Sequence, residues 1–165
     1  MDSLNGFLLT RDWRDGPDGI NLTFWAATPR GPVRLSVPDQ EAVCFVERDE
    51  MESAARVLVG QGVAPGQWRT REVDLRTPVG APVNALYFRH QRDLGTFRQR
   101  TRDARPLAYE SDLKPADRFL MERFVTGSVV IDGDLRPHGA FEQAVGPRLR
   151  PGQWRPKLEC LSLDV

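Results

Sequence analysis

The run Asp15-Gly16-Pro17-Asp18-Gly19 constrains this chain more than any other segment. Two glycines and a proline within five residues exclude both a helix and an uninterrupted strand, so the backbone must reverse there. On either side lie β-favouring stretches, Phe7 to Trp13 before the turn and Ile20 to Thr28 after it, and together they predict an antiparallel hairpin. A second turn at Pro29-Arg30-Gly31-Pro32 leads into Val33 to Val37, and Ala42 to Val46 supplies a fourth short strand. The opening of the chain is therefore expected to be an antiparallel meander, free to stay open or to curl into a partial barrel.

After these strands the period of the apolar residues changes. Met51, Ala54, Ala55, Leu58 and Val59 fall at helical spacing within Arg48 to Val59, with acidic residues at the start and Gly60 and Gly62 placed to stop the helix. Trp68 to Leu75 and Val83 to Phe88 read as two strands, parted by Thr77 to Pro82, whose prolines forbid a continuous ladder. Arg92 to Ala104 reads as a helix whose apolar face is Leu94 and Phe97. Strand, helix, strand, strand, helix is the order of a small antiparallel sheet with helices on one face. The fold class is α+β, a meander or partial barrel followed by a small antiparallel sheet with two or three helices. Pro-Gly-Gln-Trp-Arg occurs at residues 65–69 and 151–155, but the flanks differ, so these are two turns entering strands and not a repeat.

A chain of 165 residues buries on the order of 70% of its unfolded surface and supports a true core. The boundaries expected are a domain over 1–145, a basic Pro/Gly linker over 146–156, and a strand over 157–165 in which Leu158, Cys160, Leu161 and Leu163 mark the apolar positions. That last strand, with no turn or polar tail after it, reads as the opening of a further domain. No apolar run approaches the roughly 20 residues of a membrane span, and no signal-peptide pattern opens the chain, which predicts a cytoplasmic protein with no membrane contact. Cys44 and Cys160 lack CxxC spacing and are expected to be reduced core thiols.

The formal net charge is zero, with 23 basic and 23 acidic residues, which argues against indiscriminate binding to polyanions. The charges are nevertheless segregated. Asp39 to Ser53 holds Asp39, Glu41, Glu47, Asp49, Glu50 and Glu52 against Arg48 alone. Arg89 to Arg105 holds Arg89, Arg92, Arg98, Arg100, Arg102 and Arg105 against Asp93 and Asp103, and reads as a solvated helix face plus a basic loop. Beyond Gly133 and as far as Lys157, Arg136, Arg148, Arg150, Arg155 and Lys157 outnumber Asp134 and Glu142, a faint nucleic-acid footprint. Candidate nucleic-acid contacts are Arg118, Arg148, Arg150, Trp154, Arg155 and Lys157. Arg118 has a second reading, an i,i+4 pair with Glu122. The other tryptophans, Trp13, Trp25 and Trp68, read as core or turn anchors. His90 and His138 have no second ligand at metal spacing and read as surface imidazoles, and no serine or glycine-rich motif marks a nucleophile or a phosphate loop.

The most specific segment is Tyr109 to Phe124, YESDLKPADRFLMERF: an extended approach, a helix started by Pro115, and Phe119, Leu120, Arg123 and Phe124 placed for burial on one side. This run resembles the segment leading into the exonuclease domain of family B DNA polymerases, most closely the bacterial members. Gly6 to Asp15 is similar to the opening strand of those enzymes and Phe24 to Thr28 to the second, and Tyr87-Phe88-Arg89 and Pro156 to Asp164 follow in the same order. The resemblance spans essentially the whole chain.

The resemblance implies the N-terminal domain of a DNA-directed DNA polymerase of replication and repair, a nucleotidyltransferase with a 3′–5′ exonuclease. Its partners would be single-stranded template DNA, bound weakly, the polymerase's own exonuclease and polymerase domains, and a sliding clamp through other regions; purely structural docking, without DNA affinity, is the alternative. Asp164 matches the first exonuclease carboxylate, which with others would hold Mg²⁺ or Mn²⁺ for two-metal hydrolysis. One aspartate cannot assemble that site, so these residues alone are expected to need no cofactor and to show neither activity. Arg118 matches an arginine of the deaminated-base pocket in archaeal relatives, but Leu8 and Ala116 stand where that pocket has aromatics, a departure that argues against base sensing.

Overall fold

In the strand Ile20–Thr28, every second residue is inside: Ile20, Leu22, Phe24, Ala26 and Thr28 are buried, while the intervening side chains reach solvent. The computed structural model describes residues 3–157, and this alternation, repeated along neighbouring strands, organises its larger sheet. The strands in chain order are β1 (Ser3–Asp15), β2 (Ile20–Thr28), β3 (Gly31–Gln40), β4 (Ala42–Glu47), β5 (Trp68–Arg76), β6 (Pro82–Phe88), β7 (Ser128–Asp132), β8 (Arg136–His138), β9 (Phe141–Val145) and β10 (Arg148–Pro151). The helices are α1 (Met51–Gly60), entered through a 3-10 turn at Arg48–Glu50, α2 (Gln91–Arg100) and α3 (Pro115–Met121). The class is α+β, as the strand and helix pattern predicts.

Seven strands form one sheet in the order β10-β7-β1-β2-β3-β9-β8, and three form another in the order β4-β6-β5. The chain divides into two compact units, and the division falls within β1, β2 and β3. Unit one comprises residues 3–12, 22–37 and 116–157. Its core is drawn from alternate positions of several strands, Leu22, Phe24, Val33, Leu35, Val129, Ile131 and Leu149, together with Phe119 of α3, whose ring centroid lies 5.8 Å from that of Phe24. β7 is antiparallel to both β1 and β10, whereas β9 runs parallel to β3 with Leu35 opposite Ala144.

Unit two comprises residues 13–21 and 38–115. Its three strands are antiparallel, with Leu86 of β6 opposite Cys44 of β4 on one side and Thr70 of β5 on the other. α1 buries Ala54 and Leu58, α2 buries Leu94 and Phe97, and Phe97 meets Phe88 at 5.7 Å between centroids. Cys44 is buried in the core, as expected; Cys160 lies outside the described residues. The turn at Asp15–Gly19 forms where expected, closed by the Gly16 N–H donating to Gly19 O at 2.7 Å. Gly19 has φ 151°, and a Cβ there would stand 3.1 Å from Gln40 O, so glycine is required by both conformation and space.

Four expectations change. The fourth strand does not continue the meander: Asp39 takes φ 57°, in the left-handed region, and the chain leaves the larger sheet to begin the smaller one. The stretch 146–156, expected as a linker, contains β10, an edge strand of the larger sheet. Phe124, expected inside, is 81% exposed. α3 ends at Met121, and the Phe124 N–H donates to Met121 O and the Val125 N–H to Leu120 O, a Schellman ending that leaves Phe124 at φ 55° and facing out. His90, expected on the surface, is buried and shares a hydrogen bond of 3.1 Å between Nε2 and Gly16 O.

Candidate nucleic-acid interface

β10 carries the basic residues at alternate positions around a single apolar one. Leu149 faces the core opposite Ile131, and Ile131 in turn opposes Leu4, so Arg148 and Arg150 must share the outer face. On that face Arg148, Asp132 and Ser3 stand in register across three strands. Asp132 accepts two hydrogen bonds from Arg150, at 2.6 Å from Nε and 3.1 Å from Nη2, and one from Ser3 Oγ at 2.5 Å. The Arg150 bonds, followed by that from Ser3, pull the Asp132 carboxyl down to about 2, and the same pair raises Arg150. Arg150 is thus neutralised within the fold. Arg148 is exposed, with no ion pair among the described residues.

Past β10 the chain is pressed onto β7. Gly152 N–H donates to Ser128 O at 3.0 Å, and a Cβ on Gly152 would lie 2.7 Å from the Val129 carbonyl carbon, closer than any side chain permits. This carries Arg155 and Pro156 to a groove of about 390 Å³ lined also by Phe7, Thr126, Gly127 and Ser128. Trp154 is half-buried, and Arg155 and Lys157 are exposed without an acidic partner among the described residues. Arg155 and Lys157 keep a charge with no acidic partner among the described residues, and Arg148, exposed and without an ion pair, shares Asp132 with Arg150 only through its field, which helps to lower that carboxyl.

Arg118 is drawn in. Its side chain is 13% exposed, and Nη1 lies 3.8 Å from Glu122 Oε1, the i,i+4 arrangement. Arg123 folds over the Phe119 ring at 3.6 Å and donates to Phe119 O at 2.9 Å. Arg11 pairs with Asp117 beside them. Ala116 is buried and Leu8 half-buried, and neither presents a ring.

An aromatic cluster on the outer face of the larger sheet escaped the sequence reading. The Trp25 ring meets Phe141 edge-on at 4.8 Å between centroids, and Phe141 meets His138 at 5.1 Å. Beside them lies a concavity of about 440 Å³ lined by Asp134, Arg136, Pro137, His138, Gln143 and Val145. Arg136 spends its charge on Asp134 at 2.8 Å. The signal available in sequence was the period of β2, which puts Trp25 on the side opposite Phe24 and Ala26. Its partner Phe141, more than a hundred residues on, carried no such signal.

Among the described residues no cluster of three or more His, Cys, Asp or Glu side chains is placed to hold a metal ion, and no helix is long and apolar enough to cross a membrane. Asp164, with the expectation of Mg²⁺ or Mn²⁺ that attaches to it, lies outside the described residues.

Residues 6–41 match the family model described as DNA polymerase II, N-terminal. Over 162 residues the chain is 38% identical to DNA polymerase II of Escherichia coli, an alignment covering 97% of this chain and 20% of that protein. Its backbone is similar to that of the family B DNA polymerase from the hyperthermophilic archaeon Pyrobaculum calidifontis, with a TM-score of 0.62 at 17% identity, covering 93% of this chain and 21% of the other. The chain spans about a fifth of the length of these relatives.

Proposed function

We propose, because this chain belongs to the family B DNA polymerases as their N-terminal region, that it lies against single-stranded template DNA and contacts the phosphates through Arg148, Arg155 and Lys157. The observation that carries this reading is the division among the basic residues of unit one: Arg118, Arg136 and Arg150 are held in ion pairs with Glu122, Asp134 and Asp132, while Arg148, Arg155 and Lys157 are exposed and form no ion pair among the described residues. Guanidinium and ammonium groups with free donors gain affinity from phosphate by releasing its counterions, and the aromatic surfaces of Phe7 and Trp154 suit unpaired bases, which stack on any ring. In the cell such a domain acts in the cytoplasm as part of a longer polymerase.

The test is binding of a labelled oligothymidylate to this chain across a salt series. Replacing Arg148, Arg155 and Lys157 by serine is expected to weaken binding at low salt by about tenfold or more and to flatten the salt dependence. Equal affinity in a folded variant would sink the reading.

A second reading is supported by α3: Met121 is 58% and Phe124 81% exposed, and the left-handed backbone at Phe124 turns its ring outward, leaving two large apolar side chains that a partner surface would cover. On this reading the domain docks the exonuclease and polymerase domains of the longer protein. Mixing the chain with a DNA polymerase II lacking its own N-terminal region, with and without Phe124→Ser, separates the two, since only docking depends on Phe124.

A further inference from the structure

The basic run from Arg89 to Arg105 divides in the folded chain. Its ends are spent on acids of unit two: Arg89 Nη2 lies 3.1 Å from Asp18 Oδ1, and Arg105 Nη1 lies 2.8 Å from Glu50 Oε1 and 3.6 Å from Glu47 Oε2. The guanidinium groups of Arg98, Arg100 and Arg102 have no ion pair and no hydrogen bond among the described residues, and all three side chains are exposed.

α2 holds them outward firmly. Leu94 and Phe97 are fully buried and anchor the inner face. The Asp15 carboxylate accepts the backbone N–H of Gln91 at 2.8 Å and of Arg92 at 3.1 Å, satisfying two of the donors left over at the helix start. At the other end Thr101 Oγ1 donates to Phe97 O at 3.0 Å. The helix macrodipole favours cations at this end, but it takes up none of their side-chain donors.

We propose that the C-terminal half of α2 and the residue beyond its cap, through Arg98, Arg100 and Arg102, form a second contact surface for the phosphate backbone of single-stranded DNA. The inference rests on the template-facing reading above and adds a surface to it in unit two. The exposed neighbours along the chain are Arg92, Gly95, Thr96, Gln99, Asp103 and Ala104, one of them acidic and none a large apolar residue, so there is no apolar anchor of the kind that forms the centre of a protein interface. A planar guanidinium matches phosphate oxygens two at a time, and three of them around the exposed end of one helix, Arg98 and Arg100 on either side of the buried Phe97 and Arg102 past the cap, suit a backbone read without regard to base.

The test uses the full 165-residue chain and labelled oligothymidylate across a salt series. Replacing the three arginines by glutamine, which retains helix propensity, is expected to weaken binding about tenfold at low salt. The plot of log K against log salt should become shallower by about 2, since each single-strand phosphate contact contributes about 0.7. A urea midpoint verifies the fold; should the triple variant be unfolded, Arg100→Glu alone takes its place, with binding expected to weaken severalfold. Unchanged affinity and slope in a folded variant overturn the inference. The Arg148, Arg155 and Lys157 variant is measured alongside. If only that variant loses affinity, the α2 surface fails and the template reading stands; if only the α2 variant does, the α2 surface stands and the contact through Arg148, Arg155 and Lys157 fails. If the wild-type chain does not bind, both fail. Equal competition by a polyglutamate peptide would mark a surface for acidic protein and overturn the assignment to nucleic acid.

Discussion

The two units handle charge differently. In unit two the acidic and basic runs that stand out in the sequence fasten to each other. Arg105 reaches Glu47 and Glu50, Arg69 forks onto Glu41 while lying 4.0 Å over the Tyr87 ring, and Tyr109 donates to Glu47 at 2.7 Å. Those bonds raise Arg105, chiefly through Glu50, and hold Tyr109 above its usual range, chiefly through Glu47. In unit one the acids are scattered, with Asp117, Glu122, Asp132, Asp134 and Glu142 paired to Arg11, Arg118, Arg150, Arg136 and Arg30, and the basic end of the described chain is left without an ion pair. The charge of a segment is therefore a poor guide to the charge it offers: the run with the larger excess keeps only its middle, and the weaker run keeps Arg148, Arg155 and Lys157.

The contrast can be tested most forcefully at the cores. Phe97→Ala in unit two and Phe24→Ala in unit one each remove a fully buried ring and are each expected to cost about 3–5 kcal/mol in urea unfolding. A loss below about 1 kcal/mol at either would mean that the unit concerned is held by its ion pairs and not by its core. A smaller effect is expected at the end of α3. Phe124→Gly removes a bulky side chain from a left-handed position and should raise stability by up to about 1 kcal/mol, read as a higher urea midpoint with unchanged slope. The smallest effect concerns acid. Because the folded Asp132 carboxyl lies at about 2, below the ordinary unfolded value near 4, its contribution is complete above about pH 4. That contribution drains away as pH falls toward 2. Asp132→Asn should therefore lower stability at neutral pH and reduce its decline over that range, monitored by thermal melts; an unaltered acid profile would show that Asp132 does not set it.

Local signals carried much of the fold. The glycine and proline turn at Asp15–Gly19, the helical spacing of α1, the β5 and β6 pair and the Leu94–Phe97 face of α2 are all written within a few residues of where they act. β7 to β10 are not. β8 is exposed throughout, and β10 has a single buried residue, Leu149, between two arginines, so neither is long enough to repeat the alternation that marks a strand. The burial of His90 depends on Gly16, 74 residues earlier, and the neutralisation of Arg150 on Asp132, 18 residues earlier. Of the site, the positions of the basic residues were legible, but which of them remain available depends on pairings made only by the folded chain.

The Asp15 carboxylate that receives two backbone donors of α2 belongs to the first turn of the chain, while the helix begins 76 residues later. The start of that helix is thus encoded in two distant places. A chimera that exchanges the opening hairpin with a relative must bring an acidic residue to this spot or leave the helix frayed. Exchange of the helix alone inherits the same dependence, so hairpin and helix are separable in the gene but not in recombination.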